Sequence, residues 1–382
     1  MTVFKIERLC IFVVIFILLG CENNSQENEA IRSTDSSEYV NITDTTRKKI
    51  QDEDWRPTVT FGQEDISTTL LSGTTLVNSD TLGQPIELRL ADGDLIISDG
   101  SGLPPLHVVD ASTGEYVASI GERGQGPGEY QSVADMLPMY DTCFGALDSE
   151  LRRITRYCQG EESEEWARKG QTSFQIGAPI TDAVHLNEGL FAFIGFFREG
   201  RLAYYDSTGS YIRTTGPIPP GDEEIPVPVR QHAYQSFLSH HPETDQIVVG
   251  TRHADFIEVY SARGERTVLI HGPRQFTPTY NWRMRGDTPS MVQTPDTRFG
   301  YVDVEVGGNR IYALYSGQIQ SESEGLAHMG AELFVFDLEG NPIDHYDLDQ
   351  RVIAMEVNKS GDTVYGSVLH PRPIVVQYSL PE

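Results

Sequence analysis

The chain has 382 residues, 56 Asp and Glu against 29 Lys and Arg, a net charge of −27, and 38% hydrophobic residues. That balance excludes nucleic-acid binding and adsorption to an anionic membrane surface, because both need clustered basic side chains to neutralise phosphate. It fits a solvated acidic surface, a saline habitat or cationic partners.

The N-terminus reads as an export signal. Lys5 and Arg8 give a basic start, and Leu9 to Leu19 form an apolar run. That run is too short to span a bilayer, which needs about 20 apolar residues. It ends in Leu18-Leu19-Gly20-Cys21, which resembles a bacterial lipobox, although Leu19 is a less usual occupant of its position. The small residue before Cys21 suits cleavage, and the Cys21 thiol would carry the lipid. Residues 1–20 are thus expected to be a lipoprotein signal peptide. Their loss, with Lys5, Glu7 and Arg8, makes the mature chain one unit more negative. The expected address is the outer membrane, facing the periplasm or the cell surface, with membrane contact through the lipid alone. Residues 21–56 are rich in Asn, Ser, Glu, Asp and Thr and cannot bury a core. They read as a flexible tether with a reach of roughly 30–35 Å.

Cys10 would leave with the signal, so Cys143 and Cys158 remain. They lie on the runs Thr142–Asp148 and Arg152–Cys158, joined at Ser149-Glu150, and would be nearly opposite in an antiparallel hairpin. An oxidising compartment permits a disulfide there, and two free thiols are the alternative. A metal site suits them less, because no Cys-x-x-Cys pair or close histidine accompanies them.

From about Phe61 the chain shows almost no helical period. Alternating runs of five to eight residues, split by Gly, Asp, Asn and Pro, predict an all-β domain over residues 57–382. The runs repeat about every fifty residues, the mark of a propeller. Unit one is Ile86–Leu90, Asp94–Ser98, Leu106–Asp110 and Glu115–Ile120. Unit two is Val133–Met139, Thr142–Asp148, Arg152–Cys158 and Ser173–Ile176. Unit three is Ile180–Leu186, Leu190–Phe197, Arg201–Asp206 and Tyr211–Thr215. Unit four is His232–Ser239, Gln246–Thr251, Phe256–Ser261 and Arg266–His271. Unit five is Tyr301–Val306, Arg310–Tyr315, Glu332–Asp337 and Pro342–Tyr346. Unit six is Val352–Val357, Thr363–Val368 and Ile374–Tyr378. Related hairpins between the third and fourth strands make the repeat visible: VVDASTGEYVASIG, YYDSTGSYIRTTG, VYSARGERTVLIHG and VFDLEGNPIDHY. Asp at the turn entrance can accept bonds from its own backbone, and Gly supplies a positive φ. Unit six lacks a fourth strand. Ser67–Val77 is expected to supply it as the outer strand of blade six, closing the ring. Trimming the chain to Arg56 should then be harmless.

The connector Ile120-Gly121-Glu122-Arg123-Gly124-Gln125-Gly126-Pro127-Gly128-Glu129-Tyr130 resembles the IG-x-x-G-x-GPGE connector, closed by Phe or Tyr, of the six-bladed β-propeller lipoproteins of Gram-negative bacteria. These are relatives of the NHL and TolB-like propellers. The match is strongest over Leu106 to about Met136, and the later units lack the connector. The resemblance implies the fold and the exported address and carries over no catalytic residue. Read instead as a nucleotide loop, the connector fails: its glycines are not spaced G-x-G-x-x-G, no helix follows, and no Walker lysine is present.

In a propeller the second-to-third-strand and blade-to-blade connections share one face. Three long connections, Gly216–Gln231, Gly272–Gly300 and Ser316–Ala331, should crowd that face; Gln159–Thr172 in blade two is the exception. The candidate binding face is Phe276, Tyr280, Trp282, Arg283, Arg285 and His328. Loops that merely seal the channel mouth are the plain alternative. His232, His240, His241, His253 and His271 cluster in unit four without the spacing of a zinc motif, so no metal ligand is assigned. No cofactor is expected, although a channel of this kind could hold a Ca²⁺ on carbonyls and Asp or Asn side chains. No Gly-x-Ser-x-Gly elbow is present. The sequence therefore points to a monomeric, non-catalytic module that binds a protein, peptide or glycan of the cell envelope. The alternative is a metal-dependent hydrolase or lactonase-like enzyme with its site at the channel mouth.

Overall fold

The computed structural model describes residues 53–78, 81–101, 105–139, 142–160 and 165–381. The expectations for the signal segment, Cys21 and most of the tether lie outside the described residues.

Alternation of apolar and polar residues along short runs produces six antiparallel sheets, each with four strands from one unit or its completion. Blade one spans Pro85–Ile120, blade two Asp135–Ser173, blade three Ile180–Thr215, blade four Ser236–His271, blade five Tyr301–Val352 and blade six Ala354–Ser379. The second and third strands are nearly continuous buried runs, because both faces of each blade meet a neighbouring blade. The core accordingly divides into wedges. Leu71, Val302, Tyr346, Val364 and Tyr378 fill the wedge between blades five and six. Val77, Leu88, Ile97, Tyr365 and Val375 fill that between six and one.

Closure differs in part from the sequence expectation. Only Thr74–Val77 completes blade six, antiparallel to Ile374–Ser379. Thr68–Leu71 instead lies parallel to the outer strand of blade five, and Val59–Thr60 lies parallel to that of blade four. The N-terminal segment thus laces three consecutive blades before blade one begins. The lacing starts earlier than the tether boundary suggested. Trp55 is 1% exposed and packs against Tyr234 and Phe256, with its indole N–H donating to the Ile218 carbonyl at 3.0 Å.

The hairpin glycines explain why the repeat is so legible. Gly114 has φ +73°, and a Cβ there would sit 2.0 Å from the Leu76 carbonyl oxygen. Gly209 meets Ser173, Gly264 meets Thr215 and Gly340 meets Val268 and Ile270 in the same way. Each turn therefore seats its glycine on the outer strand of the preceding blade, and Gly114 finds Thr74–Val77 in that place. The entrance aspartates behave as the turn chemistry requires: Asp110 Oδ1 accepts from the backbone of Ser112 and Thr113, and Asp206 Oδ1 from Thr208 and Ser210.

The GPGE connector is structural. Glu129 folds back to accept the Gly126 N–H at 2.8 Å, and a Cβ on Gly124 would strike the Glu129 carboxylate. Arg153 of blade two donates to the carbonyls of Gln125 and Glu129, fixing the swing from blade one to blade two.

Three further corrections concern strand boundaries. The outer strand of blade two is Trp166–Ser173, not Ser173–Ile176, so the presumed long connection there is mostly strand. The inner strand of blade four is Ser236–His241, and His232 belongs to the helix Val227–Ala233. Pro226 at the helix start suits a position whose N–H needs no partner, and this overrode the short alternating pattern around His232. The outer strand of blade five runs on to Val352. Cys143 and Cys158 are directly opposite in register and form a disulfide, with Cα atoms 4.1 Å apart.

Candidate functional site at the channel mouth

The three long connections meet on one face. Gly216–Gln231 contributes the helix Val227–Ala233. Gly272–Gly300 contains a hairpin, Tyr280–Arg285 with Thr288–Gln293. Its two-residue turn has Gly286 at φ +60° in the first central position, as a type II′ turn demands. The connection after Tyr315 is stitched to the same loop by Phe299 N–H to Gln318 O, Gln320 N–H to Thr297 O and Ser321 N–H to Pro295 O. A hydrophobic cluster of Trp55, Ile225, Val229, Tyr234, Phe256, Tyr280 and Met291 lies beneath helix and hairpin.

This packing sorts the candidate binding residues. Tyr280 is buried in the cluster, and Trp282 is half-buried against it. Phe276 packs on the wedge between blades four and five, beneath the Arg298 guanidinium at 5.5 Å. These aromatics therefore build the face and leave little of themselves to a partner. Arg283 is half-buried, while Met284 and Arg285 are exposed at the hairpin end. Arg285 is close enough to His232 to disfavour its protonation. His328 reaches the mouth from blade five. The five histidines of unit four divide. His232 and His253 join His328 at the mouth. His240 pairs with Asp245 at 2.7 Å and His241 bonds the Gly308 carbonyl, both at the opposite end of the inner strand. His271 stacks on Phe256 in the blade wall at 4.3 Å.

Below the mouth the inner strands carry charge. Glu87, Asp135, Asp182 and Asp303 stand near the starts of the inner strands of blades one, two, three and five. Two residues further along are Arg89, Glu305 and Glu356. Arg89 spans the axis: Nη2 meets Glu305 at 3.1 Å, Nη1 meets Glu356 at 2.8 Å, and Nε donates to the Met136 carbonyl at 2.6 Å. Ser239 of blade four donates to the other oxygen of Glu305. The upper carboxylates clip blades together. Asp182 accepts the Leu238 N–H at 2.7 Å, Asp303 the Met355 N–H at 2.7 Å and Asp135 the Ala183 N–H at 3.3 Å.

Six carboxylates thus line the channel, two of them paired with one buried arginine. Burial, then the charges of Asp303 and Asp135, pushes Glu87 well above the ordinary carboxylate range. Burial, then Asp135 with which it shares a hydrogen bond, does the same to Asp182. Burial and Glu305 raise Asp303. Burial also raises Glu356, against the pull of Arg89. Burial thus biases these channel carboxyls towards their protonated forms. The mouth has the opposite polarity. Arg252 lies over the Phe237 ring at 4.8 Å, and burial lowers its guanidinium to about 10, still charged at neutral pH. Burial, then Arg252 among the neighbouring cations, holds His328 down to about 4, and burial with Arg285 and Arg252 does so for His232. The result is a cationic rim over an acidic well. Sequence reasoning missed the well. Its signal was present as charges inside the first run of most units: IELRLA, TDAVH, VDVEV and AMEV.

The family model for TolB-like six-blade propellers matches residues 60–360. The chain belongs to that family. No curated protein matches this TolB-like propeller. Solved structures similar to it match at low identity. The WD40 repeats of RRP9 match at 10% identity with a TM-score of 0.50, over 82% of this chain and 100% of that one. A putative exported protein from Bacteroides fragilis matches at 10% and 0.49, over 85% and 99%. Virginiamycin B lyase from Staphylococcus aureus matches at 11% and 0.45, over 81% and 99%.

Proposed function

We propose that this TolB-like propeller is an exported, lipid-anchored recognition module that takes a protein or peptide segment at the channel mouth of its loop-rich face. The observation that carries the reading is the polarity of that mouth, a rim of Arg252 and Arg285 above the well of Glu87, Asp182 and Asp303. An extended segment leading with an ammonium or guanidinium group would place that charge among carboxyls whose affinity for protons is raised by burial and by one another. Its carbonyls, or a following carboxylate, would meet the rim. A glycan is the poorer fit, since Tyr280, Trp282 and Phe276 are spent on packing and offer no open stacking platform. Lipid anchoring at Cys21 and an envelope location complete the proposal and rest on the sequence of the first 21 residues.

The test is calorimetric titration of the full chain with matched peptides carrying basic, neutral or acidic N-terminal segments. The basic peptide should bind at least tenfold more tightly and release protons on binding. Asp182→Asn with Asp303→Asn should abolish the preference. Equal binding of all three peptides, or an unchanged preference in the double variant, would refute the reading. A hydrolase or lyase at the same mouth has one observation in its favour, carboxyls of raised proton affinity beneath imidazoles of lowered proton affinity, a pairing suited to general acid–base work.

A further inference from the structure

The outer strands of blade five carry a second constellation, remote from the channel axis. Glu332 and Asp347 are directly opposite across neighbouring strands, and His345 lies two residues before Asp347. Side chains two apart on one strand and opposite on the next share a face, so three potential ligands converge. Their nearest ligand atoms all lie within 4.8 Å of one another. Thr68, on the laced N-terminal strand, is directly opposite His345, and its hydroxyl meets His345 Nδ1 at 2.9 Å. Phe334 stacks on the imidazole at 4.2 Å. The ring is thereby fixed in position, with Nδ1 occupied and Nε2 aimed at Glu332.

That Nε2 is buried and satisfied by no hydrogen bond of acceptable geometry, although Glu332 Oε2 is 3.2 Å away. A buried imidazole nitrogen without a hydrogen bond is costly unless something else fills the gap. Two ligands of a tetrahedral Zn²⁺ at about 2.0 Å are about 3.3 Å apart, which is close to the 3.2 Å between His345 Nε2 and Glu332 Oε2. Glu332 is otherwise held by Arg274 on Oε1 at 3.4 Å and by the Gln63 amide on Oε2 at 2.8 Å. The first orients the carboxylate. The second becomes an oxygen donor if the amide is turned over, since the two ends of a Gln amide occupy equivalent places. Asp347 is exposed and gives the site an entrance.

We infer that Glu332, His345 and Asp347 form a Zn²⁺ site on the outer edge of blade five, oriented by Thr68. One imidazole with carboxylate oxygens suits Zn²⁺ better than Ca²⁺ or Mg²⁺, which favour all-oxygen shells. The hydroxyl of Thr68 is the outer partner that metal-bound histidines characteristically have. Because Thr68 lies on the lacing segment, the ion would tie the N-terminus to blade five.

The full chain, stripped with chelator, is titrated with Zn²⁺ against a chromophoric competitor. Site occupancy is then read from the visible spectrum of the Co²⁺ form. One equivalent should bind. Asp347→Asn, at an exposed position that leaves the fold intact, should weaken it at least tenfold. Thr68→Val should weaken it about tenfold. His328→Asn, at the channel mouth, should leave it unchanged. No bound equivalent, or Asp347→Asn binding as tightly as the native chain, would overturn the site and leave an internal His345–Glu332 ion pair only. A loss in His328→Asn instead would move the ion to the channel and overturn it equally.

Discussion

Trp55 tests where the folded domain begins. The sequence places it in the tether, whereas the structure buries it between helix and blade four. A buried indole removes about 200 Å² from water, worth about 5 kcal/mol at about 25 cal/mol per Å² as an upper bound. Its N–H bond to Ile218 adds about 1 kcal/mol, and the Arg266 guanidinium 4.7 Å above the ring adds a similar amount. Partial collapse of the site offsets some of this, so Trp55→Ala should cost about 3–5 kcal/mol. For about 320 described residues with an unfolding entropy near 2.1 cal/mol/K each, 4 kcal/mol lowers Tm by about 6 °C. Trp55→Phe keeps the ring and loses the hydrogen bond, so it should cost less than half as much. The assay is thermal and urea unfolding followed by circular dichroism, because tryptophan fluorescence itself changes. A chain beginning at Pro57 should melt with Trp55→Ala. If it melts with the full chain, Trp55 does not anchor the lacing segment and the reasoning fails.

Two further expectations concern charge and covalent closure. Asp255 is pushed up to about 7 by burial, despite accepting the Arg274 N–H and the Tyr315 hydroxyl. The folded state therefore binds its proton more tightly than the unfolded state does, and the associated stability is present below about pH 4 and lost as pH rises to about 7. Asp255→Asn cannot ionise, so its Tm relative to the native chain should improve from pH 5 to about pH 7 and then level off, and a flat difference across that range would refute the assignment. Removing the Cys143–Cys158 link, whose sequence separation is 15, with a double Cys→Ala variant should cost about 3 kcal/mol by the chain-entropy estimate. Unchanged unfolding midpoints for native and reduced chains would show that the pairing of the two strands already fixes this hairpin.

What was legible in the sequence follows from which forces are local. The hairpin turns could be read because Asp110 and Asp206 bond their own backbones, and because Gly114 and Gly209 need a positive φ wherever they sit. The same glycines meet the preceding blade, so a local signal carried the ring order with it. The disulfide pairing was readable for the same reason, since register in a short hairpin is fixed by its turn. The lacing of Val59–Thr60 and Thr68–Leu71 was not. Parallel pairing with blades four and five spans more than two hundred residues of chain, and a strand of two to four residues has too little pattern to name its partner.

The candidate site shows the same division from the other side. Aromatics in Gly272–Gly300 looked like recognition residues because composition cannot distinguish an exposed ring from one used to seat a loop. Tyr280 and Phe276 prove to seat it. The charges that do distinguish the mouth were dispersed, one or two in most inner strands, and each alone resembles an irregularity in an apolar run. Only the ring brings Arg89 of blade one against Glu305 of blade five and Glu356 of blade six. Burial sharpens the point. A lone buried carboxyl would be a defect to be removed, but Asp182 and Asp303 also cap the backbone of the next blade, so their positions are held by the fold. The same two groups can therefore serve closure when protonated and a cation when ionised. A basic peptide should bind with proton release because the fold needs only their hydrogen-bond acceptance, which both forms supply.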